Sequence, residues 1–458
     1  MASFDLGIRA GHLLTMKNGH GDVHQDFFIG VKDGVIIEVS ACGDARAATL
    51  AKECIRFIDR QNQIVLPGLI NGHTHLPMSL FRGFEDDRPF HEWLFQRILP
   101  AELALVDADF VRTGVELSAL ECLRFGTTTV NDMYYYVETI AQVIHEVGMR
   151  AIIAWPFMDF VAPDERHLGE QAVASRDARF QKFHELYRNH PRIRPALGPH
   201  APYTCCDETI QEVTRLSKKY SCPVHMHVCE TRGEVQESME KFGKTPVQRL
   251  HDLGALHSRF IAAHAVHTTD AEIELLVKSG VSVIYNPDSN MKLSSGVAPI
   301  PKYRKAGVPV GLGTDGAASN NNLSMFSAMD LGTKLQKVSN QSNTAMVALD
   351  ALNLATHEGA KALGLDHLIG SIEVGKRADL ISLRTDLPHV QPLYSVLSQL
   401  VYAYQGLEVD TVVCDGKVLL ENGTDYLTLD PRSIYERVKI WKEKITHSIG
   451  HLPEKQDQ

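Results

Sequence analysis

The 458-residue chain is 44% hydrophobic and carries a formal net charge of -10. That length and apolar content suffice for one barrel-sized core plus a smaller unit, and they exclude disordered and fibrous classes. The acidic balance, with no basic stripe, excludes a phosphate-backbone binder, so the expected partner is a small molecule and neither a nucleic acid nor a membrane.

The chain opens on Met1-Ala2-Ser3-Phe4-Asp5 without a basic segment leading into an apolar run, and no window approaches the roughly 18 apolar residues of a membrane span. Its eight cysteines form no C-x-x-C pair, and adjacent Cys205 and Cys206 read as loop packing, so reduced thiols in a cytoplasmic protein are expected. Phe27 to Ile37 carries a hairpin signature with Asp33-Gly34 at the turn.

From Pro67 onward, short apolar runs alternate with helical segments. The runs are Pro67 to His75, Thr127 to Asp132, Arg150 to Trp155, Ile193 to Gly198, Pro223 to Val228, Phe260 to Ala265, Val281 to Asn286 and Val308 to Gly313. Eight strands buried on both faces and linked by helices predict a (β/α)8 TIM barrel. Nearly every run ends in a polar side chain: His73 and His75, Asp132, His200, His227, His264, Asn286, Asp315. Barrel active sites form at that end, whereas a doubly wound sheet would gather its ligands at one crevice.

Asp350 to Leu363 reads as a helix stopped by Gly364, followed by a strand over Ala378 to Leu383 and a second Asp-Gly hairpin over Val412 to Leu419. Ser433 to Ile449 reads as a closing amphipathic helix with Tyr435, Val438, Ile440, Trp441 and Ile445 on its apolar face. The expected organisation is a barrel over 67–364 and a small β-sandwich domain built from 1–66 together with 365–458.

Side chains alternate along a strand, so His73 and His75 present two imidazoles to one side, half of a tetrahedral zinc site. A lone His-x-His pair arises readily by chance in a chain with 22 histidines; the polar strand ends give this one weight. His227 and Asp315 supply further ligands, although His225 lies on the same strand face as His227 and spacing does not separate them. Asp315 also reads as a helix N-cap. Zinc held this way brings water from a pKa of about 15.7 to near 7. Glu230, three residues past His227, is placed to carry a proton, and His264 to orient water or the leaving group; a solvated loop charge and a core histidine are their plainer readings.

Four stretches make the pattern specific: Pro67 to Glu102, with His73-Thr74-His75-Leu76-Pro77-Met78 and Leu99-Pro100-Ala101-Glu102; His225-Met226-His227-Val228-Cys229-Glu230-Thr231; Asn286-Pro287-Asp288-Ser289-Asn290-Met291; and Gly313-Thr314-Asp315-Gly316. Across almost its whole length the chain resembles the amidohydrolase superfamily, and within it the 5'-methylthioadenosine/S-adenosylhomocysteine deaminases. The resemblance implies one divalent ion, zinc before iron or nickel, on His73, His75, His227 and Asp315, which decides for His227 over His225. It also implies that Glu102 holds the ribose hydroxyls, His200 meets the purine edge, Glu230 shuttles the proton to the ring nitrogen, and His264 with Asp315 orients the attack at C6. Trp93 is a stacking candidate, and a homo-oligomer is expected.

The implied reaction is deamination of methylthioadenosine, adenosine or S-adenosylhomocysteine to the inosine analogue and ammonia. One departure stands out: relatives that take S-adenosylhomocysteine carry an arginine just after the third strand, where this chain has Trp155-Pro156-Phe157-Met158-Asp159-Phe160, leaving Arg166, Arg176 and Arg179 as substitutes. The rival enzyme is a triazine or other heterocycle hydrolase on the same scaffold, for which Glu102 would have no diol to hold. A barrel without catalysis would have lost ligands, and none is missing. No H-E-x-x-H or P-C-x-x-C occurs, which excludes zincins and the small cytidine deaminases.

Overall fold

A computed structural model describes residues 2–449; residue 1 and residues 450–458, the two ends of the expected β domain, lie outside the described residues. Eight parallel strands follow one another in chain order: β1 (Leu69–Thr74), β2 (Thr127–Met133), β3 (Arg150–Phe157), β4 (Ile193–Pro199), β5 (Val224–Val228), β6 (Phe260–His264), β7 (Ser282–Tyr285) and β8 (Val310–Leu312). Every residue of β3 and β5 is buried, as strands covered by helices outside and by each other's side chains inside must be.

The backbone ladder is open between β1 and β8, and the seam is closed by single bonds. Asp315 N–H donates to the His73 carbonyl at 2.9 Å, Thr314 N–H to Asn71 Oδ1 at 3.0 Å, and the Asn71 amide to Thr314 Oγ1 at 2.7 Å. Gly313 lets the two strand ends approach: a Cβ there would stand 2.4 Å from Asn286 Oδ1 and 2.9 Å from the His73 nitrogen. Thus the barrel is drawn together at the place where His73 and Asp315 meet.

The two ends of the chain build one mixed eight-stranded sheet, in the order Asp425–Tyr426, Lys417–Glu421, Val409–Cys414, Leu380–Arg384, Cys54–Pro67, Phe4–Leu14, Val23–Lys32, Val35–Ala41. The expected β-sandwich is therefore hydrogen-bonded as one continuous sheet, joined where Leu380–Arg384 runs antiparallel to Cys54–Pro67 with Ile381 opposite Leu66. Both Asp-Gly hairpins form, with positive φ at Asp33, Gly34, Asp415 and Gly416 as the tight two-residue turn requires. Only Gly68 separates the long strand Cys54–Pro67 from β1, so the sheet feeds directly into the strand that carries His73 and leads to His75. At the opposite end of the barrel, buried Arg150 pairs with Asp379 of the terminal segment at 2.8 Å.

Two elements differ from expectation. The single helix over Asp350 to Leu363 is broken into Ala348–Leu354 and His357–Ala362, because the Ala355 carbonyl between them turns to accept from Ile70 N–H of β1 at 2.9 Å. The closing helix, Pro431–Ile449, buries Ile434, Trp441 and Ile445 while Tyr435 and Ile440 stay half exposed. Residues 434, 441 and 445 repeat on one face of a 3.6-residue helix, and 435 and 440 lie off it. Among the described residues no helix is long and apolar enough to cross a membrane.

Candidate active site

The C-terminal ends of β1, β5, β6 and β8 converge. One nitrogen each from His73, His227 and His264 and one oxygen from Asp315 lie within 4.8 Å of one another. His75 belongs to the same cluster: its Nε2 is 3.3 Å from Asp315 Oδ1 and 3.3 Å from His227 Nε2, and His73 Nε2 is also 3.3 Å from Asp315 Oδ1.

What each ring does with its other nitrogen separates the histidines. His75 Nδ1–H donates to the Met133 carbonyl at 2.5 Å and His227 Nδ1–H to the His200 carbonyl at 2.7 Å. His73 Nδ1 meets His225 Nε2 at 2.7 Å, which occupies His225 and takes it out of the cluster. Rings protonated at Nδ1 present the Nε2 lone pair inward, the arrangement metal-binding histidines adopt, and His73 Nε2 is buried with no hydrogen-bond partner. His264 is the reverse. Its Nδ1 faces the side-chain amides of Asn290 at 2.9 Å and Asn286 at 3.4 Å, so the proton resides on Nε2 and the ring offers a donor.

The two carboxylates are driven apart. Burial raises Asp315, but the adjoining His73 and His75 imidazoles outweigh it and hold the group well below the ordinary carboxylate value. Burial, then the Asp315 and Glu234 charges, push Glu230 well above it. A pair separated in this way is equipped for one ionised and one proton-donating role. Ser289 Oγ donates to Asp315 Oδ2 at 2.6 Å, and His264 Nε2 lies 3.9 Å from both Asp315 Oδ2 and Glu230 Oε2. His264 and Asp315 adopt φ of 69° and 65°, left-handed values that cost a non-glycine residue on the order of 1–3 kcal/mol and concentrate at functional sites.

A cavity of about 720 Å³, open mouth included, stands over the cluster and is lined by His75, Trp93, Glu102, His200, His227, Glu230 and Asp315. The remaining sequence candidates, His73 and His264, are fully buried beside them. Glu102 sits in the helix Leu99–Leu105, and burial raises it to about 7 against the nearby Tyr134 and Tyr135 hydroxyls. Burial lowers His200 to about 3, so its ring is neutral, with Nδ1 3.0 Å from Thr204 Oγ1.

Sequence reasoning missed Tyr134 and Tyr135, which line the cavity beside Glu102, and Phe90, Leu94 and Leu293, which together with Met158 of the stretch after β3 make it apolar. The tyrosines follow β2 directly, the position from which a barrel strand delivers side chains to its mouth, so strand placement was the signal that would have found them. No Lys or Arg is among the described residues lining the cavity. Arg176 is bound to Glu165 at 2.5 Å and to the Met158 carbonyl. Arg179 reaches Glu165 at 3.0 Å, and Arg166 is exposed outside the lining.

The sequence profile of the amidohydrolase family matches residues 64–419. The chain belongs to that family. A 5'-deoxyadenosine deaminase of Methanocaldococcus jannaschii is 41% identical over 417 residues, 90% of this chain and 96% of that one. A 5-methylthioadenosine/S-adenosylhomocysteine deaminase of Aquifex aeolicus is 38% identical, covering 99% of this chain and all (100%) of its own. Among solved structures, an adenosine deaminase from Xanthomonas campestris with bound zinc superposes with a TM-score of 0.91 at 37% identity, covering 97% of this amidohydrolase and 99% of that chain. An atrazine chlorohydrolase from Arthrobacter aurescens shares the fold (TM-score 0.86) at 23% identity, over 95% of this chain and 100% of its own, and testifies to the fold alone.

Proposed function

We propose that this amidohydrolase removes the C6 amino group of adenine nucleosides by hydrolysis, releasing ammonia. The observation that carries the reading is a buried carboxylate, Glu102, in the same cavity as the histidine and aspartate cluster. A vicinal diol offers two hydroxyl donors, and a carboxylate accepts both. A substrate without ribose, such as a triazine, would leave that buried group unanswered.

His73, His75, His227 and Asp315 would hold one divalent ion, most naturally zinc given three imidazole nitrogens and one carboxylate. His75 and His227 direct Nε2 inward by donating Nδ1–H to backbone carbonyls, whereas His264 turns Nδ1 to the Asn290 and Asn286 amides, and that difference supports this set over one including His264. Bound there, the ion supplies Lewis acidity that makes water a competent nucleophile near neutral pH.

The chain's own groups do the rest. Neutral His200 faces the purine edge, and Glu102 anchors the sugar. Glu230, held protonated by its surroundings, gives its proton to the ring nitrogen next to C6, which removes the aromatic resistance to addition. His264 donates to the attacking water, and ionised Asp315 accepts from it. Glu230, ionised by that transfer, takes one proton from the water as its oxygen bonds to C6; the remaining hydroxyl proton then passes by way of Asp315 to the amine as the C6–N bond breaks, leaving a C6 carbonyl, ammonia and a reprotonated Glu230. Trp93 packs against the bound nucleoside.

The apolar rim of Phe90, Leu94, Met158 and Leu293 supports neutral 5' substituents, methylthio or 5'-deoxy, above the zwitterionic tail of S-adenosylhomocysteine, which would enter without a cation to pair its carboxylate. The same reading assigns 67–364 to the catalytic barrel and 1–66 with 365–458 to the small β domain, in a cytoplasmic homo-oligomer. The test is ammonia release from methylthioadenosine, 5'-deoxyadenosine, adenosine, S-adenosylhomocysteine, guanine and a chlorotriazine. The first two should turn over fastest. Turnover confined to guanine or the triazine would end the reading.

A further inference from the structure

Glu230 must deliver a proton at a defined place, yet its side chain has little to hold it. Its nearest hydrogen-bonding neighbour is Ser295 Oγ, 3.5 Å from Oε1. Position therefore has to come from the backbone that carries it. That backbone is unusual: Cys229, the residue before, adopts φ of 52°, a left-handed value for a non-glycine residue, and this turn swings Glu230 off the end of β5 into the cavity.

Both sides of the turn are pinned. The Cys229 carbonyl accepts from Val266 N–H at 3.0 Å and His267 N–H at 2.9 Å, tying it to the loop after β6. The two amides are gripped by one side chain. Glu234, in the first turn of the helix Arg232–Phe242 and itself buried, accepts Cys229 N–H on Oε1 at 2.8 Å and Glu230 N–H on Oε2 at 2.7 Å. Glu234 is not among the residues lining the active cavity, so it does not touch substrate. Its own backbone is set by Thr231 Oγ1, which accepts Glu234 N–H at 3.1 Å and caps the helix.

We propose that Glu234 is the positioning residue for Glu230: one buried carboxylate bridging two successive amides fixes a strained turn and thereby aims the proton carrier. The proposal rests on the proton-carrying reading of Glu230. A bridge of this kind needs both oxygens as acceptors, so Glu234→Gln loses half of it and Glu234→Ala all of it.

The experiment is a double-mutant cycle on the metal-loaded enzyme with methylthioadenosine, combining Glu230→Gln with Glu234→Ala, alongside Glu234→Gln. Glu234→Ala should lower kcat about 10²-fold, the order expected when a reacting group is displaced by about 1 Å, with KM and metal content within about twofold of wild type. Glu234→Gln should fall between. In the Glu230→Gln background, Glu234→Ala should change kcat by no more than about twofold, since its effect passes through a group already disabled. Thr245→Ala, which removes an equivalent cap from the adjoining helix Pro246–Asp252, controls for general loss of stability and should leave kcat unchanged. An equal loss in both backgrounds, a loss matched by Thr245→Ala, or an unchanged kcat in Glu234→Ala overturns the positioning role. Full turnover in Glu230→Gln alone overturns the reading beneath it, and the proposal with it.

Discussion

Replacing Glu230 by Gln keeps the shape of the side chain and removes both its proton and its charge, and two opposite consequences follow. General acid–base catalysis contributes about 10²- to 10⁴-fold, so turnover should fall by that factor, on the order of 3–5 kcal/mol of transition-state stabilisation. Stability should move the other way. Burial and the Asp315 charge raise Glu230 above its ordinary 4.5, so the folded wild type binds this proton more tightly than the unfolded chain does. That stabilisation is complete below about pH 4.5 and is lost as pH rises through the folded value. Glutamine has no such loss. On metal-stripped protein, where no cation offsets the carboxylate, the Tm of Glu230→Gln relative to wild type should increase between pH 5 and pH 8. Ammonia release on the metal-loaded enzyme, elemental analysis and paired melts at the two pH values read all of this. Turnover within tenfold of wild type would remove Glu230 from the proton path, and a variant that loses ground in Tm between pH 5 and pH 8 would refute the like-charge argument.

Glu102→Ala should raise KM for ribosides by about tenfold or more while leaving the slow hydrolysis of free adenine unchanged; equal losses on both would contradict the diol role. Chelation should abolish activity, with one equivalent of zinc restoring it and raising Tm; full activity in metal-free protein would dismiss the metal site. Gly313→Ala drives a methyl group into Asn286 and the His73 backbone. It should cost roughly 1–3 kcal/mol and much of the metal affinity, whereas wild-type metal content would show the seam to be more yielding than its packing implies.

The sequence by itself determined the scaffold and the chemical cast. Eight buried strand runs with polar C-terminal ends required a barrel with its site at one mouth, because period and burial are local properties written along each segment. The resemblance added the roles. What remained undecided was whatever depends on partners far apart in the chain. His225 and His227 share a strand face that spacing does not divide; the resemblance chose His227, and the approach of His73 Nδ1 to His225 Nε2 supplies the physical reason. His264 is told from the other histidines by two asparagines on the next strand end and the helix after it. Arg176 and Arg179 were plausible substrate ligands until their carboxylate partners Glu165 and Asp164 were located. The break at Ala355 answers a hydrogen bond from β1 that no local propensity encodes. Imidazole and carboxylate identities are carried by the residues, but which nitrogen bears a proton and which carboxylate keeps its charge are set by neighbours, and neighbours exist only once the chain is folded.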